Sequence, residues 1–280
     1  MRLNLSGHLT DHITYCYTGG QRLERDRPTA LFIHGAGHDH SVWTLQTRYF
    51  AHHGRNVIAP DLPGHGRSNG PALESIEGLA QWILALAHKL GTERPVVIGH
   101  SMGALIALQL AATAPELVSR LVLVGAVAPM PVAPALLDAT LSNRDKAHAL
   151  INQWSFAPHS QTGASSIPGM NLTALNERLM QRQAPGVLHT DMAACNAYTA
   201  GFDAAARVRC PTLLLSSAQD RMTPPKAIAP LAAAFDKSIA LTRVVLPDAG
   251  HAMMSESPGE VLDALWAFVN SSHATGQSPT

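Results

Sequence analysis

The chain has 280 residues and a mass of 29.7 kDa, which suits one large domain or one domain carrying an insertion and allows burial of roughly three quarters of the extended surface. Lys+Arg and Asp+Glu number 20 each and only 14% of positions are charged, so there is neither a basic excess for nucleic acid or anionic membrane nor an acidic excess of the disordered type. Three cysteines, Cys16, Cys195 and Cys210, lack a CxxC spacing and read as free thiols of a reducing compartment.

Taken in chain order, the start "MRLNLSGHLTDHITYCY" has no apolar core bounded by a cleavage site, and no run of 18 apolar residues follows anywhere. The expectation is a soluble, cytoplasmic protein without a membrane partner. Short apolar runs of β type come next: Ile13–Tyr17, Thr29–His34, Asn56–Pro60, Pro95–Gly99 and Leu121–Gly125. Most are continuous rather than alternating, as expected of parallel strands covered on both faces. Between them lie helical stretches such as "ESIEGLAQWILALAHKLG", where Ile76, Leu79, Ile83, Leu86 and Leu90 recur at helical spacing and Gly91 supplies a stop.

The rhythm breaks over 127–208, which holds a proline-rich stretch, a polar loop "PHSQTGASSIPGMN" and three helical patterns. Strands resume at Thr212–Ser216 and Thr242–Leu246, so 127–208 reads as a helical cap inserted into a core made of 1–126 and 209–270. The polar end, 271–280, reads as disordered. The fold expected is α/β: a mostly parallel, doubly wound sheet flanked by helices, with right-handed crossovers.

One stretch carries chemistry most directly. "VVIGHSMGALIALQLAA" places Gly99-His100-Ser101-Met102-Gly103, a G-x-S-x-G pattern, between a predicted strand and a predicted helix. Such a corner lifts the Ser101 hydroxyl clear of the sheet and sets it at a helix N-terminus, where negative charge is favoured. A serine needs a base. His251, in "LPDAGHAMMSESP", lies between the last strand and the last helix, with Gly250 expected to let the loop turn its ring toward the sheet edge. His100 is expected to point elsewhere. A carboxylate must orient that base, and Asp220, following the penultimate strand in "LLLSSAQDRMTPP", is preferred to Asp248. "HGAGHDH" after the second strand offers backbone donors, and the amides of Ala36 and Met102 are the expected oxyanion hole.

These segments resemble the capped serine esterases of the α/β-hydrolase superfamily. The resemblance runs from Thr29 to Asn270 and rests on "HGAG", "APDLPGHGRSNGP", "GHSMGA", "AQDRMTPP" and "DAGHAMMSESP", in the order Ser…Asp…His. One departure is Ala104, where many members have a second glycine. The resemblance implies an acyl-enzyme hydrolase of small to medium, largely uncharged esters, needing no cofactor or metal, with Asp61, His65 and Ser68 holding each other in a structural loop. Lactonase, C–C bond hydrolase and perhydrolase chemistry on the same triad stay open, as do longer acyl chains and a slow-turnover ligand-binding receptor. Oligomeric state is open too. Met130, Met170, Met180 and Met192, with Trp154 and Phe156, are either packing or pocket wall. Met222 and Met253, beside the acid and base, and His34, Gly35 and Gly37 of the "HGAG" loop, are placed at the pocket. His34, His38, Asp39 and His40 cluster in sequence, but without an HExxH register they read as structural or solvated rather than as a metal site.

Overall fold

The structure is a computed structural model and describes residues 1–5, 12–163 and 169–271. The expected disordered end, apart from Ser271, and the centre of the polar loop lie outside these residues. Eight strands form one sheet: β1 (Arg2–Asn4), β2 (Ile13–Tyr17), β3 (Thr29–Ile33), β4 (Asn56–Pro60), β5 (Val96–His100), β6 (Arg120–Val124), β7 (Thr212–Ser217) and β8 (Leu241–Leu246), in the order β1-β2-β4-β3-β5-β6-β7-β8. β2 pairs antiparallel with β1 and β4, and all other pairs are parallel. β1 is the strand that sequence patterning missed, because three residues are too few to show a period.

Chain order reverses between β3 and β5. β4 pairs on one side of β3 and β5 on the other, so the carboxyl ends of β3 and β5 flank a topological switch point, where open α/β sheets bind their ligands. Both faces of the sheet are covered. Leu31 and Ile33 pack with α2 (Ile76–Lys89) and α3 (Met102–Thr113), whereas Ala30 and Phe32 pack with α1 (Thr44–His52) and the C-terminal helix. Every residue of α3 from Met102 to Ala112 is buried, which explains its run of small and apolar residues: a helix enclosed on all sides has no polar face to keep. Ser75 caps the start of α2 by accepting from the Gly78 amide. At its end Gly91 takes φ +61°, so that the amide of Thr92 reaches back to Ala87 in a left-handed helix cap.

Among the described residues six helices interrupt the sheet between β6 and β7: α4 (Pro134–Ser142), α5 (Arg144–Ser155), α6 (Pro158–Gln161), α7 (Leu172–Gln181), α8 (Val187–Ala197) and α9 (Gly201–Arg207). Three were expected. The first expected pattern divides at Asn143 into α4 and α5, Pro158 starts a single helical turn where a loop was read, and the seven-residue α9 was too short to announce itself. The insertion has its own apolar centre, including Leu136, Ile151, Met180, Leu188 and Met192. After β7 come α10 (Ile228–Ala234), β8, α11 (Met253–Glu256) and α12 (Pro258–Asn270). Among the described residues no helix is long and apolar enough to cross a membrane. Cys16, Cys195 and Cys210 are free and buried, and burial pushes the Cys210 thiol up to about 11 and Cys16 to about 12.

Candidate active site

β5 ends at His100 and α3 begins at Met102, leaving Ser101 alone at the corner. Its backbone takes φ +54° and ψ −119°, a strained state for a residue with a side chain. The corner is held on both sides: the Ser101 amide donates to the Val124 carbonyl at 2.9 Å, and the Ser101 carbonyl accepts from the Ala104 amide at 2.8 Å. A methyl on Gly99 would overlap the Gly103 carbonyl, and one on Gly103 the carbonyls of Ile33 and His34. The two glycines thus allow backbone to touch backbone. Ala104, the departure from the second glycine, is fully buried in α3.

Asp220 and His251 come from the loops after β7 and β8 and meet at the same sheet edge. Asp220 Oδ2 accepts from His251 Nδ1–H at 2.8 Å and from the Thr223 hydroxyl at 2.6 Å. Its Oδ1 accepts from the amides of Met222 at 2.8 Å and Thr223 at 2.7 Å. Burial alone would raise the Asp220 pKa, but the neighbouring His251 ring and these donors outweigh it and hold the carboxyl below its ordinary range. With Nδ1 donating to a carboxylate, Nε2 of His251 is left as the acceptor. Asp248 is exposed.

The His251 ring lies over Gly125, where a Cβ would come within 3.1 Å of Cε1 and Nδ1. Thr223, 3.2 Å from Nδ1, lines the same cavity as Ser101. Among the described residues no hydrogen bond joins the Ser101 hydroxyl to the ring. His100 does point away from the cavity, and its Nε2–H holds the His251 carbonyl at 3.0 Å. Gly250 has a different reason from the one expected. Its φ is not in the left-handed region; instead a Cβ there would press on the Ser155 carbonyl and the Ala157 amide. Buried Glu256 joins the two segments, accepting from the amides of Ala157 at 2.9 Å and Gly250 at 2.8 Å.

The cavity above Ser101 measures about 260 Å³. Ala36, Met130, Leu136, Trp154, Met192 and Met222 are among the side chains that enclose it. Neither the Ala36 nor the Met102 amide has an acceptor among the described residues; the latter is one of the free donors of the first turn of α3.

A strained serine corner, a buried carboxylate–imidazole pair and a switch-point cavity are joined by one comparison: the profile of the alpha/beta hydrolase family matches residues 30–264. The chain belongs to the alpha/beta hydrolase family. Among solved structures, a thermophilic esterase is 25% identical, with a TM-score of 0.77 and 96% of each chain covered. The enol-lactonase of Burkholderia xenovorans is 20% identical, with a TM-score of 0.81 over 95% of this chain and 99% of that one, a likeness of fold. Protein ABHD8 of Bos taurus is 35% identical over 109 residues, 38% of this chain, and the match spans a quarter of that relative's length.

Several residues expected at the pocket of this hydrolase lie elsewhere. His34 is fully buried beneath it, its Nδ1–H donating to the Gly35 carbonyl at 2.9 Å while Nε2 accepts from the Leu62 amide at 3.0 Å. One nitrogen donates and the other accepts, so the ring is neutral; burial lowers its pKa to about 4. Gly35 packs against His100 and Ser101 from below, and Gly37 is covered by Leu188. Met253 is completely buried on the far face of the sheet. Phe156 and Met180 are buried as packing, and Met170 lines a separate groove with Gln46 and Arg182.

The "DLPGHGRS" loop is also wired differently from the expectation. Ser68 holds the Asp61 carbonyl, but the Asp61 carboxylate takes His40 Nδ1 at 2.6 Å and the Arg67 amide, while His65 reaches into the insertion to Asp191. Asp39, His40 and Asp61 do gather within 4.8 Å, with protein partners on each: Asp39 caps Ser41 and pairs with Arg182. Thr223, Glu256 and Asp191 were not singled out from sequence. Thr223 is marked only by its place three residues after Asp220, whereas nothing local marks Glu256 and Asp191, which act on segments 99 and 154 positions away.

Proposed function

We propose that the protein hydrolyses carboxylic esters through an acyl-enzyme on Ser101, with His251 as the base and Asp220 as its orienting carboxylate. The observation that carries this reading is the 2.8 Å bond from His251 Nδ1–H to the buried, four-times-satisfied Asp220 carboxylate, beside the cavity on which Ser101 opens. His251 Nε2 takes the Ser101 proton as Oγ attacks the carbonyl, and Asp220 stabilises the imidazolium. The amides of Ala36 and Met102 receive the oxyanion. His251 returns the proton to the departing alcohol, and water releases the acid by the same steps. The serine–histidine hydrogen bond then closes when substrate binds, as such bonds commonly tighten in the Michaelis complex.

A cavity of about 260 Å³ lies just below the usual range for small-molecule sites, and its wall is mainly apolar, with Met130, Met192, Met222, Leu136 and Trp154 among its members and Arg221 as a charged one. That favours small, uncharged esters over long-chain lipids, with the inserted helices acting as a cap that sets substrate size. Cyclic esters suit the same groups, and the likeness to an enol-lactonase makes lactones the second substrates to try. The test is a panel of p-nitrophenyl esters and lactones, with a fluorophosphonate probe. Steady turnover of short esters and a phosphonyl adduct on Ser101 are expected; a burst without turnover would mark a ligand-binding receptor instead.

A further inference from the structure

Asp191 stands out among the groups that this mechanism leaves unused. It sits on α8 of the insertion, 1% exposed, and its Oδ2 accepts two hydrogen bonds of 2.8 Å, one from the Gly37 amide and one from His65 Nε2. Its Oδ1 has no partner. A buried carboxylate with an idle oxygen is costly, and its presence calls for a reason. His65 supplies the compensation. It donates from Nε2 to Asp191 and from Nδ1 to the Pro63 carbonyl at 3.0 Å, and an imidazole donating from both nitrogens is a cation. The neighbouring His34 ring, 5.0 Å away, donates from only one nitrogen, so the proton resides on the ring that faces Asp191.

What this ion pair holds is the loop after β3. His34 Nδ1–H grips the Gly35 carbonyl on one side of Ala36, and Asp191 grips the Gly37 amide on the other. One residue further on, His38 Nε2–H donates to Asn176 of α7 at 2.9 Å. The peptide carrying the Ala36 amide is thus bracketed, and two of its anchors belong to the insertion. We propose that Asp191 is a positioning residue: by binding the Gly37 amide it fixes the loop that presents the Ala36 N–H, making the oxyanion hole depend on seating of the inserted helices. This rests on the ester-hydrolase reading above.

Three variants test it: Asp191→Leu, which keeps the volume and removes the acceptor; Asp191→Asn, whose amide oxygen can replace Oδ2; and Asp191→Glu, which keeps acceptor and charge but lengthens the arm. Each is assayed for kcat and KM on a short p-nitrophenyl ester and for affinity to a trifluoromethyl ketone, which forms a tetrahedral adduct. Displacing a catalytic group by about an ångström costs on the order of 100-fold. Asp191→Leu should therefore lose roughly that factor in kcat and in ketone affinity together, with KM changed less than about threefold. Asp191→Glu should lose about tenfold in both, and Asp191→Asn should recover most of the activity lost in Asp191→Leu.

Wild-type kcat and ketone affinity in Asp191→Leu, or in Asp191→Glu should the leucine variant not fold, would overturn the proposal, as would an effect on KM alone. If the wild-type protein itself neither turns over esters nor takes phosphonate on Ser101, the ester-hydrolase reading falls first, and the positioning role with it.

Discussion

The two halves of the site are held by different means. Ser101, Asp220 and His251 sit where parallel strands end and are held from within the core: Ser101 by the Val124 carbonyl and the Ala104 amide, Asp220 by the amides two and three residues on, and His251 by Asp220 and, at its carbonyl, by His100. The pocket wall and the loop around Ala36 are held by side chains of the inserted helices, across sequence distances such as the 154 positions between Gly37 and Asp191. The Ser101 corner and the Asp220 turn are therefore held by the core itself, whereas the cavity wall and the loop around Ala36 depend on the insertion packed on them.

The most severe way to break the strand-end half is Ser101→Ala. Turnover should fall by about a million-fold, with the thermal midpoint unchanged within a few degrees; stopped-flow and melting curves on one preparation check both. Asp220→Asn should cost on the order of ten-thousand-fold in kcat, because the imidazole is no longer held in the right tautomer. A loss of less than tenfold would point to another acid.

On the insertion side the expected effects are smaller and of another kind. Trp154→Ala opens the cavity wall, and an added or lost methylene contact is worth about 1–3 kcal/mol. The kcat/KM for acetate and butyrate esters should fall roughly tenfold while longer acyl chains gain relative to them, as an acyl-length series would show. Preference unchanged along the series would place the acyl group elsewhere.

The smallest expected effect is on stability against pH. His34 and His38 are held neutral by burial, with pKa lowered to about 4, and His100 is lowered well below its ordinary value, also by burial. Their unfolded forms protonate near 6.5, so stability is complete above that pH and is lost as pH falls from about 6.5 toward 4. His65 runs the other way. Burial would lower its pKa, but Asp191 raises it, so its contribution is full below 6.5 and lost as pH rises through its folded value. Melting temperatures should fall by several degrees between pH 6.5 and 4, and His38→Gln should flatten that slope.

How far the chain could be read in advance follows from the same division. β3 to β7 were legible because continuous apolar runs five or six residues long are what a doubly covered parallel sheet requires, and Ser101 because strand, glycine, serine, glycine and helix adjoin. Asp220 and His251 followed from their places after the last two strands. Gly250 was assigned to the wrong cause because a close approach by Ser155 leaves no trace near residue 250. His34, Gly37 and Met253 were put in the pocket for being next to the right residues, yet a neighbour along a loop or helix points another way.

By itself, then, the order of residues determined the layered sheet, the sharp corner at Ser101 and the arrival of Asp220 and His251 at one sheet edge, since each depends on short-range pattern and on position after a strand. Only the tertiary structure decided which side chains wall the cavity, that His65 serves Asp191 rather than Asp61, and that an aspartate on α8 steadies the loop beside Ser101. Those contacts depend on how six short helices settle on the sheet, and that packing is set by shape between distant segments, not by any periodicity within one.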